Sequence, residues 1–523
     1  MGKVRSLVFL LIGAALAPAG LEAASPDARV NEYAEIFMAA QDWYADEVAP
    51  ERLIYGSIDG MLGTLDPHTT FFRPRAFGAL QQKQRGAYYG LGLTISQRGG
   101  KVVIIGPVEG PGVERHGLIP GDLVTRIGGE PTEGMSSEDV ANRLRGPQGT
   151  PVTLTVLRPG RAEPFEVTAK RSHIATDSVA YALLLENRIG YIRLTDFTNT
   201  SNNDFIEAWN RLKKQGMAKL VLDLRGNPGG VLDAALGISG GFLKKGEKIV
   251  ETRGRLADSN QTFVAAEGAE RSRIPIVVLV NNGSASASEI VAGALQDHDR
   301  GLIVGTTTWG KGLVQSVFNL DDGAGVAITT ARYYTPSGRC IQRDYQEPIE
   351  YFLPTFDGEP EEGAGAPDAG KVQTFKTDAG RIVKASGGIT PDVVVKPARL
   401  SEAASLLYAD GAFFDFAVNY KLEHPNVTQA FRPGPGIREA FFRFVEERKT
   451  LEPGDLKAAR ENPRTADEVD RGILEEILNV TFGREEGYRS VLETDNQLQK
   501  ALTLFPEAEK LVARRKPKPA PQG

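Results

Sequence analysis

The spacing of apolar and polar positions divides the chain into a helical beginning, a middle in which strands and helices alternate, and a helical end. Val30, Tyr33, Ile36, Phe37 and Ala40 recur at helical intervals, and Leu53, Ile54, Ile58, Met61, Leu62 and Leu65 repeat the pattern in a second helix. The run Asp66-Pro67-His68-Thr69-Thr70-Phe71-Phe72 breaks it, and His68 beside Asp-Pro reads as a turn-stabilising residue. Strands are expected at Leu91–Gln97, Val102–Ile105, within Gly121–Ile127 and at Val152–Leu157, with a helix at Ser136–Leu144. Further on, the strands Ile189–Leu194, Lys219–Leu224, Ile276–Val280 and Leu302–Val304 alternate with helices at Asp204–Gln215, at Val231–Leu243 and around Ile290–Leu295. Val317–Leu320 and Gly325–Tyr334 flank a tight turn at Asp321-Asp322-Gly323 and read as a hairpin. From Leu400 to Arg515 the pattern is helical. Its stripes Phe413, Phe414, Phe416, Ala417 and Phe441, Phe442, Phe444, Val445 suit packing between helices or subunits better than a ligand pocket.

Composition narrows the function classes. A chain of 523 residues, 41% hydrophobic and 24% charged, is long enough for several folded domains, and a net charge of −6 with interspersed signs argues against nucleic acid as the main partner. Cys340 is the only cysteine, which removes intrachain disulfides and thiolate zinc sites. His68, His116, His173, His298 and His424 lack metal-type spacing, so neither a metal nor another cofactor is expected. Met1–Ala24 places Lys3 and Arg5 before the apolar stretch Leu7–Ala17 and small residues near Ala19 and Ala23, the layout of a secretory signal peptide. The alternative is an uncleaved segment holding the chain at the inner membrane, facing the periplasm. Asp357–Gly370 is rich in Gly, Pro, Ala and acid, as in a mobile loop, and residues 516–523 read as a disordered tail.

Candidate chemistry concentrates between Ile276 and Gln315. The strand Ile276–Val280 ends at Asn281-Asn282-Gly283, and Ser286-Ala287-Ser288-Glu289 has the form of a capping box opening the next helix. Ser286 then stands at a strand-to-helix corner, where free N–H groups and the helix dipole favour a developing oxyanion. A plain N-cap serine would sit there too. In Trp309-Gly310-Lys311-Gly312-Leu313-Val314-Gln315 one lysine lies among glycines, a tryptophan and aliphatics, a setting that disfavours the charged amine. A neutral Lys311 can take a serine proton, and Gln315, four residues on, can orient it from the same face. Other serine-hydrolase signatures are missing. Pro228 occupies the position at which Asn-Pro-Gly-Gly would need a hydroxyl, Gly-x-Ser-x-Gly is absent, and His298 falls at the far end of the helix that Ser286 begins.

These residues resemble the carboxyl-terminal processing proteases of peptidase family S41, whose signatures are S/T-A-S-A-S-E followed by F/W-G-K-G-x-x-Q. The resemblance implies that Ser286 is the nucleophile, Lys311 the general base 25 positions later, and Gln315 its companion. Asp223-Leu224-Arg225-Gly226-Asn227-Pro228-Gly229-Gly230 matches D-L-R-x-N-x-G-G and implies an oxyanion hole made of the Gly230 and Ala287 N–H groups. Residues 86–171 look like a PDZ domain that would bind a peptide through Tyr89, Gly90, Leu91, Gly92 and Leu93, with Val140 and Leu144 lining the groove or lying in the core. Leu65-Asp66-Pro67-His68 is similar to the end of the family's amino-terminal helical region. Tyr333-Tyr334-Thr335-Pro336-Ser337-Gly338-Arg339 and Gly388-Ile389-Thr390-Pro391-Asp392 match two further motifs, here separated by an insertion.

The implied fold class is an α/β multidomain chain: signal peptide 1–24, helical region 26–85, PDZ domain 86–171, crotonase-like α/β protease core 172–398 with a mobile insertion over about 344–386, helical region 399–515, and tail. The implied activity is exported, periplasmic serine endopeptidase cleavage at or near protein C-termini, with the PDZ domain capturing and gating the tail. Expected partners are proteins with accessible C-termini and further copies of the chain, with a helper lipoprotein left open. The competing reading is a PDZ scaffold on an inactive protease fold.

Overall fold

The computed structural model describes residues 26–107, 116–266, 273–345, 351, 373–385 and 387–514. The expected signal segment, the loop Asp357–Gly370 and the tail lie outside the described residues. No helix among the described residues is long and apolar enough to cross a membrane.

The chain forms two compact units, Met1–Phe71 and Phe72–Gly523. In the first, the helices Pro26–Trp43 and Pro50–Gly63 follow the expected periodicity, and Tyr33 and Ser57 join them through their hydroxyls at 2.5 Å. The turn after them is built on Asp66. The Asp66 carboxylate accepts the N–H groups of His68 (2.8 Å) and Thr69 (2.9 Å) and the Thr69 hydroxyl (2.7 Å).

The helical region expected over 26–85 therefore divides. Its last helix, Pro74–Arg85, belongs to the second unit, where the buried ring of Phe77 lies so close to Gly325 that a Cβ there would come within 2.2 Å of it. Next comes an antiparallel sheet in the order Leu93–Arg98, Lys101–Pro107, Leu123–Ile127, Pro151–Leu157 and Phe165–Lys170, with the helix Ser137–Leu144 capped by Ser136. The first strand opens later than expected. Gly92 takes φ +64°, a turn conformation, and the residues before it form a separate short strand, Ala87–Gly90, paired with Ser172–Ala175.

The central sheet runs in the order Val179–Leu185, Ile189–Leu194, Lys219–Asp223, Ile276–Val280, Leu302–Gly305 and Val393–Val394; its first pair is antiparallel and the rest parallel. Leu220, Leu222, Ile276, Val278 and Val280 face a core closed by the helices Ser201–Lys214, Leu232–Gly240 and Ala287–Asp297. The intervening Val221, Val277 and Leu279 face Leu492, Leu498, Phe505 and Leu511 of the last three helices, Arg484–Thr494, Asn496–Thr503 and Phe505–Arg514. A parallel sheet covered on both faces is why these strands read as unbroken apolar runs.

The carboxyl-terminal region serves two places. Its last three helices back the central sheet, while the phenylalanine stripes of the earlier helices stack on one another, with the Phe413 and Phe441 rings 4.8 Å apart, and share an apolar cluster with Val103, Ile105 and Leu123 of the antiparallel sheet.

The insertion differs from a wholly mobile segment. Gln373–Lys376 and Ile382–Ala385 form a hairpin tied to the end of the helix Ala287–Asp297, where the Asp378 N–H donates to the Asp297 carbonyl (2.9 Å) and Arg381 pairs with Asp299 (2.5 Å).

Candidate active site

Ser286 is half-buried at the junction between the strand Ile276–Val280 and the helix Ala287–Asp297, with φ 53° and ψ −113°. A non-glycine residue in that region costs on the order of 1–3 kcal/mol and persists only where its surroundings fix it. Both sides of the residue are held here. Its N–H donates to Glu289 Oε2 (2.8 Å), and its carbonyl accepts the N–H groups of Glu289 (2.9 Å) and Ile290 (3.0 Å) and the Tyr333 hydroxyl (3.1 Å).

The loop after the strand Lys219–Asp223 is pressed against this corner. Asn281 Oδ1 accepts the Gly226 N–H (2.8 Å), the Ser284 hydroxyl donates to the Leu224 carbonyl (2.8 Å), and the Asn227 carbonyl accepts both the Ala285 N–H (3.0 Å) and the Ser288 hydroxyl (2.9 Å). Gly229, at φ +92°, lies so close that a Cβ would come within 2.8 Å of both the Ser286 Cβ and the Ala287 nitrogen. Only glycine fits there. Gly230 forms a parallel bridge with Phe197 that uses the Gly229 carbonyl (3.1 Å) and the Val231 N–H (2.8 Å), which leaves the Gly230 N–H out of it.

Lys311 is half-buried in a loop gripped from several sides. Its N–H donates to Glu289 Oε2 (2.9 Å) and that of Gly310 to Glu289 Oε1 (2.7 Å). The Gly312 N–H donates to Gln342 Oε1 (2.8 Å), and the Gly312 carbonyl accepts the Tyr333 N–H (2.9 Å). The strand begins only at Leu313, so Gln315 and Lys311 do not share one regular element, and the Gln315 amide donates across the hairpin to Thr329 Oγ1 (3.3 Å).

Glu289 is the residue whose role the sequence did not disclose beyond a cap. Its fully buried carboxylate accepts the N–H groups of Ser286, Gly310 and Lys311 and the Thr308 hydroxyl (2.5 Å), so it ties the serine corner to the lysine loop. Burial pushes its pKa above the usual carboxylate value, and the Thr308 hydroxyl and the three N–H groups pull it back without cancelling the rise. Thr308 in turn accepts the Ile389 N–H (2.6 Å), so the Gly388–Asp392 motif reaches this site despite the insertion.

Asp223 and Arg225 form a second buried node. Burial alone would raise the Asp223 carboxyl, but Arg225, Arg193 and the Tyr191 hydroxyl hold it below its usual value. Arg225 also reaches Asp495 (2.6 Å) and Gln497 (2.9 Å), which fastens the loop beside Ser286 to the carboxyl-terminal helices.

His298 sits at the opposite end of the helix from Ser286, with Nδ1 against Asp378 (2.8 Å) and Nε2 against the Lys248 carbonyl (2.7 Å). Candidate ligand atoms of Glu247, His298 and Asp378 lie within 4.8 Å of one another, a grouping that residue spacing could not reveal. Both ring nitrogens are already engaged, so the cluster reads as a hydrogen-bonded clasp for the Gln373–Ala385 hairpin. Of the expected peptide-binding residues, Tyr89 is 41% exposed, while Leu91, Leu93 and Val140 are buried and Leu144 is 6% exposed, all four within the antiparallel sheet's own core. Burial favours the core reading for Val140 and Leu144.

Residues 188–350 match the model described as peptidase family S41, and residues 80–157 match that of the PDZ domain. The chain is 36% identical over 352 residues to the carboxy-terminal-processing protease of Bartonella bacilliformis, covering 65% of this chain and 80% of that one. The chain belongs to peptidase family S41. Within that family it is also similar to the carboxyl-terminal-processing protease of Synechocystis, 41% identical over 55% of this chain and 68% of that one. The photosystem II D1 C-terminal processing protease is the subject of a solved structure, 29% identical over 70% of this chain and 92% of its own, with a TM-score of 0.35. The chain is thus an S41 carboxyl-terminal processing protease with a PDZ domain, which supports binding of peptide or protein substrates.

Proposed function

We propose that the chain is an exported serine endopeptidase that cuts protein substrates at or near their carboxyl termini, with Ser286 as nucleophile and Lys311 as general base. The observation that carries this reading is the Glu289 carboxylate, which holds the backbone N–H of Ser286 and that of Lys311 on the same oxygen. Neutral Lys311 takes the Ser286 proton as the hydroxyl oxygen attacks the scissile carbonyl. The resulting oxyanion lies between the Gly230 and Ala287 N–H groups, and the protonated amine gives its proton to the leaving nitrogen. Water, activated by the same amine, then releases the acyl group. The placement of Gln315 supports a role in setting the strand beside Lys311 better than a direct bond to the amine. The parallel sheet with helices on both faces is read as the crotonase-like core, and the amino-terminal segment as the export signal.

Casein digestion by the wild type beside Ser286→Ala tests the reading. The expected result is cleavage by the first and none by the second, at matched circular dichroism; turnover by the purified variant would remove the assignment, and no cleavage by either protein would leave the scaffold reading.

The PDZ domain is proposed to capture the substrate tail by strand addition and to shift the protease toward its active arrangement. Its sheet shares an apolar cluster with the carboxyl-terminal helices, so deletion of residues 86–171 would strip those helices of Val103, Ile105 and Leu123. Substrate chemistry gives a cleaner test. Amidating the terminal carboxylate of a peptide substrate is expected to raise KM about tenfold, since the charged terminus loses its N–H donors; equal KM values for acid and amide would dismiss tail capture.

A further inference from the structure

We infer that Tyr333 is a positioning residue for the reaction, one that sets the direction of the Ala287 N–H by holding the carbonyl of Ser286. The inference rests on the Ser286–Lys311 reading and deepens it. Tyr333 is the last residue but one of the strand Gly325–Tyr334 and opens the Tyr333–Arg339 motif, to which the reaction scheme assigns no part. Its side chain is 1% exposed, and its hydroxyl donates to the Ser286 carbonyl at 3.1 Å.

A trans peptide is planar, with its C=O and N–H pointing in opposite directions. The Ser286 carbonyl and the Ala287 N–H belong to one such plane. Whatever fixes the carbonyl on one side aims the N–H on the other. The helix supplies two donors to that carbonyl, from Glu289 and Ile290, and both come from the following turn. Among the described residues Tyr333 is the donor that reaches it from a different element, and so resists rotation of the plane in a way the helix cannot. The need for such a brace is visible in the backbone, because Ser286 occupies a strained φ of 53°.

The other end of the same residue holds the second half of the site, since the Tyr333 N–H donates to the Gly312 carbonyl (2.9 Å), next to Lys311. Desolvation, with Glu289 nearby, pushes the Tyr333 phenol well above its usual pKa, so the hydroxyl keeps its proton and stays a donor across the working pH range. A buried phenol placed only for packing would not need its oxygen at this carbonyl. Glu289 fixes the N–H side of Ser286 and Tyr333 the C=O side, and the second contact is the one that controls an oxyanion donor.

The test is Tyr333→Phe in the full-length protein, with Tyr334→Phe as control. The expected result is a fall in kcat of about tenfold with KM unchanged, and an equal loss of affinity for a peptide aldehyde, which forms a tetrahedral adduct. Affinity for an uncleaved product peptide should stay at the wild-type value, as should every parameter of Tyr334→Phe. Unchanged kcat and aldehyde affinity would overturn the inference, and so would a loss shared equally by aldehyde and product peptide, which a general structural defect gives. If Tyr333→Phe does not fold, 4-fluorophenylalanine at the same position fills the hydroxyl's place without a donor; a tenfold loss of kcat and aldehyde affinity supports the inference, and wild-type values overturn it. Failure of the underlying reading is separately visible, because Ser286→Ala would then retain turnover.

Discussion

Lys311→Arg is expected to abolish peptide-bond cleavage as fully as Lys311→Ala, with a loss in kcat of at least about a thousandfold. The substitution puts a permanently charged group on a side chain of similar reach, so it separates two roles that alanine would confuse. If the lysine served only as a cation, steadying an anionic intermediate, arginine would retain part of the activity. A general base must lose its proton before it can accept one, and a guanidinium does not do so in a protein. The backbone contacts that place residue 311 do not depend on its side chain, because Glu289 and the neighbouring glycine bonds grip the main chain. The measurement is kcat on a fluorogenic peptide, with the affinity for an uncleaved product peptide as a check on the binding cleft. Turnover within tenfold of wild type would assign the proton to another group.

Four of the six strands of the central sheet were legible because burial on both faces leaves few polar positions to blur them, and Ile276–Val280 falls where the apolar run places it, whereas Val179–Leu185 and Val393–Val394 were not expected. Ser286, the Gly229-Gly230 turn and the Lys311 loop were legible for a different reason: each needs small residues at a close approach, and glycine spacing records that need directly. Three things were not legible. The covering of the central sheet by the helices after Arg484 depends on contacts across roughly two hundred residues or more, which no local period encodes. The clasp of the insertion hairpin on Asp297, His298 and Asp299 is likewise a product of topology. The start of the strand at Leu93 turned on one glycine at positive φ, and a period-two pattern reads straight through such a kink. Glu289 shows the same limit in reverse. Its cap position was plain from the sequence, but a carboxylate that caps a helix and one that also collects donors from a loop twenty residues away look identical in a string of letters.

That carboxylate supports the second large expectation. Glu289→Gln should leave the fold in place, lower Tm by several degrees and reduce kcat by about a hundredfold with little change in KM. The reason lies in how its oxygens are shared. Oε2 accepts from Ser286 and Lys311, and Oε1 from Gly310 and Thr308, so every partner is a donor. A glutamine has one oxygen and one NH2 group. With the oxygen facing Ser286 and Lys311, the NH2 group opposes the Gly310 N–H; turned over, it opposes both the Ser286 and Lys311 N–H groups. Thr308 can rotate its hydroxyl to relieve one conflict, but a backbone N–H cannot. The less costly orientation thus spares the serine and strains the loop that carries the lysine, which moves the amine while leaving the peptide cleft intact. A buried donor facing a donor costs about 1–3 kcal/mol, and a hundredfold fall in kcat corresponds to about 2.7 kcal/mol, so nearly all of that cost is expected at the transition state, where the amine must meet the hydroxyl. Glu289→Ala, which leaves all four donors unmatched in a buried site, should be worse in Tm as well as in rate. Wild-type kcat in folded Glu289→Gln would mean that the span between the two loops is architectural only and that the lysine finds the serine without it.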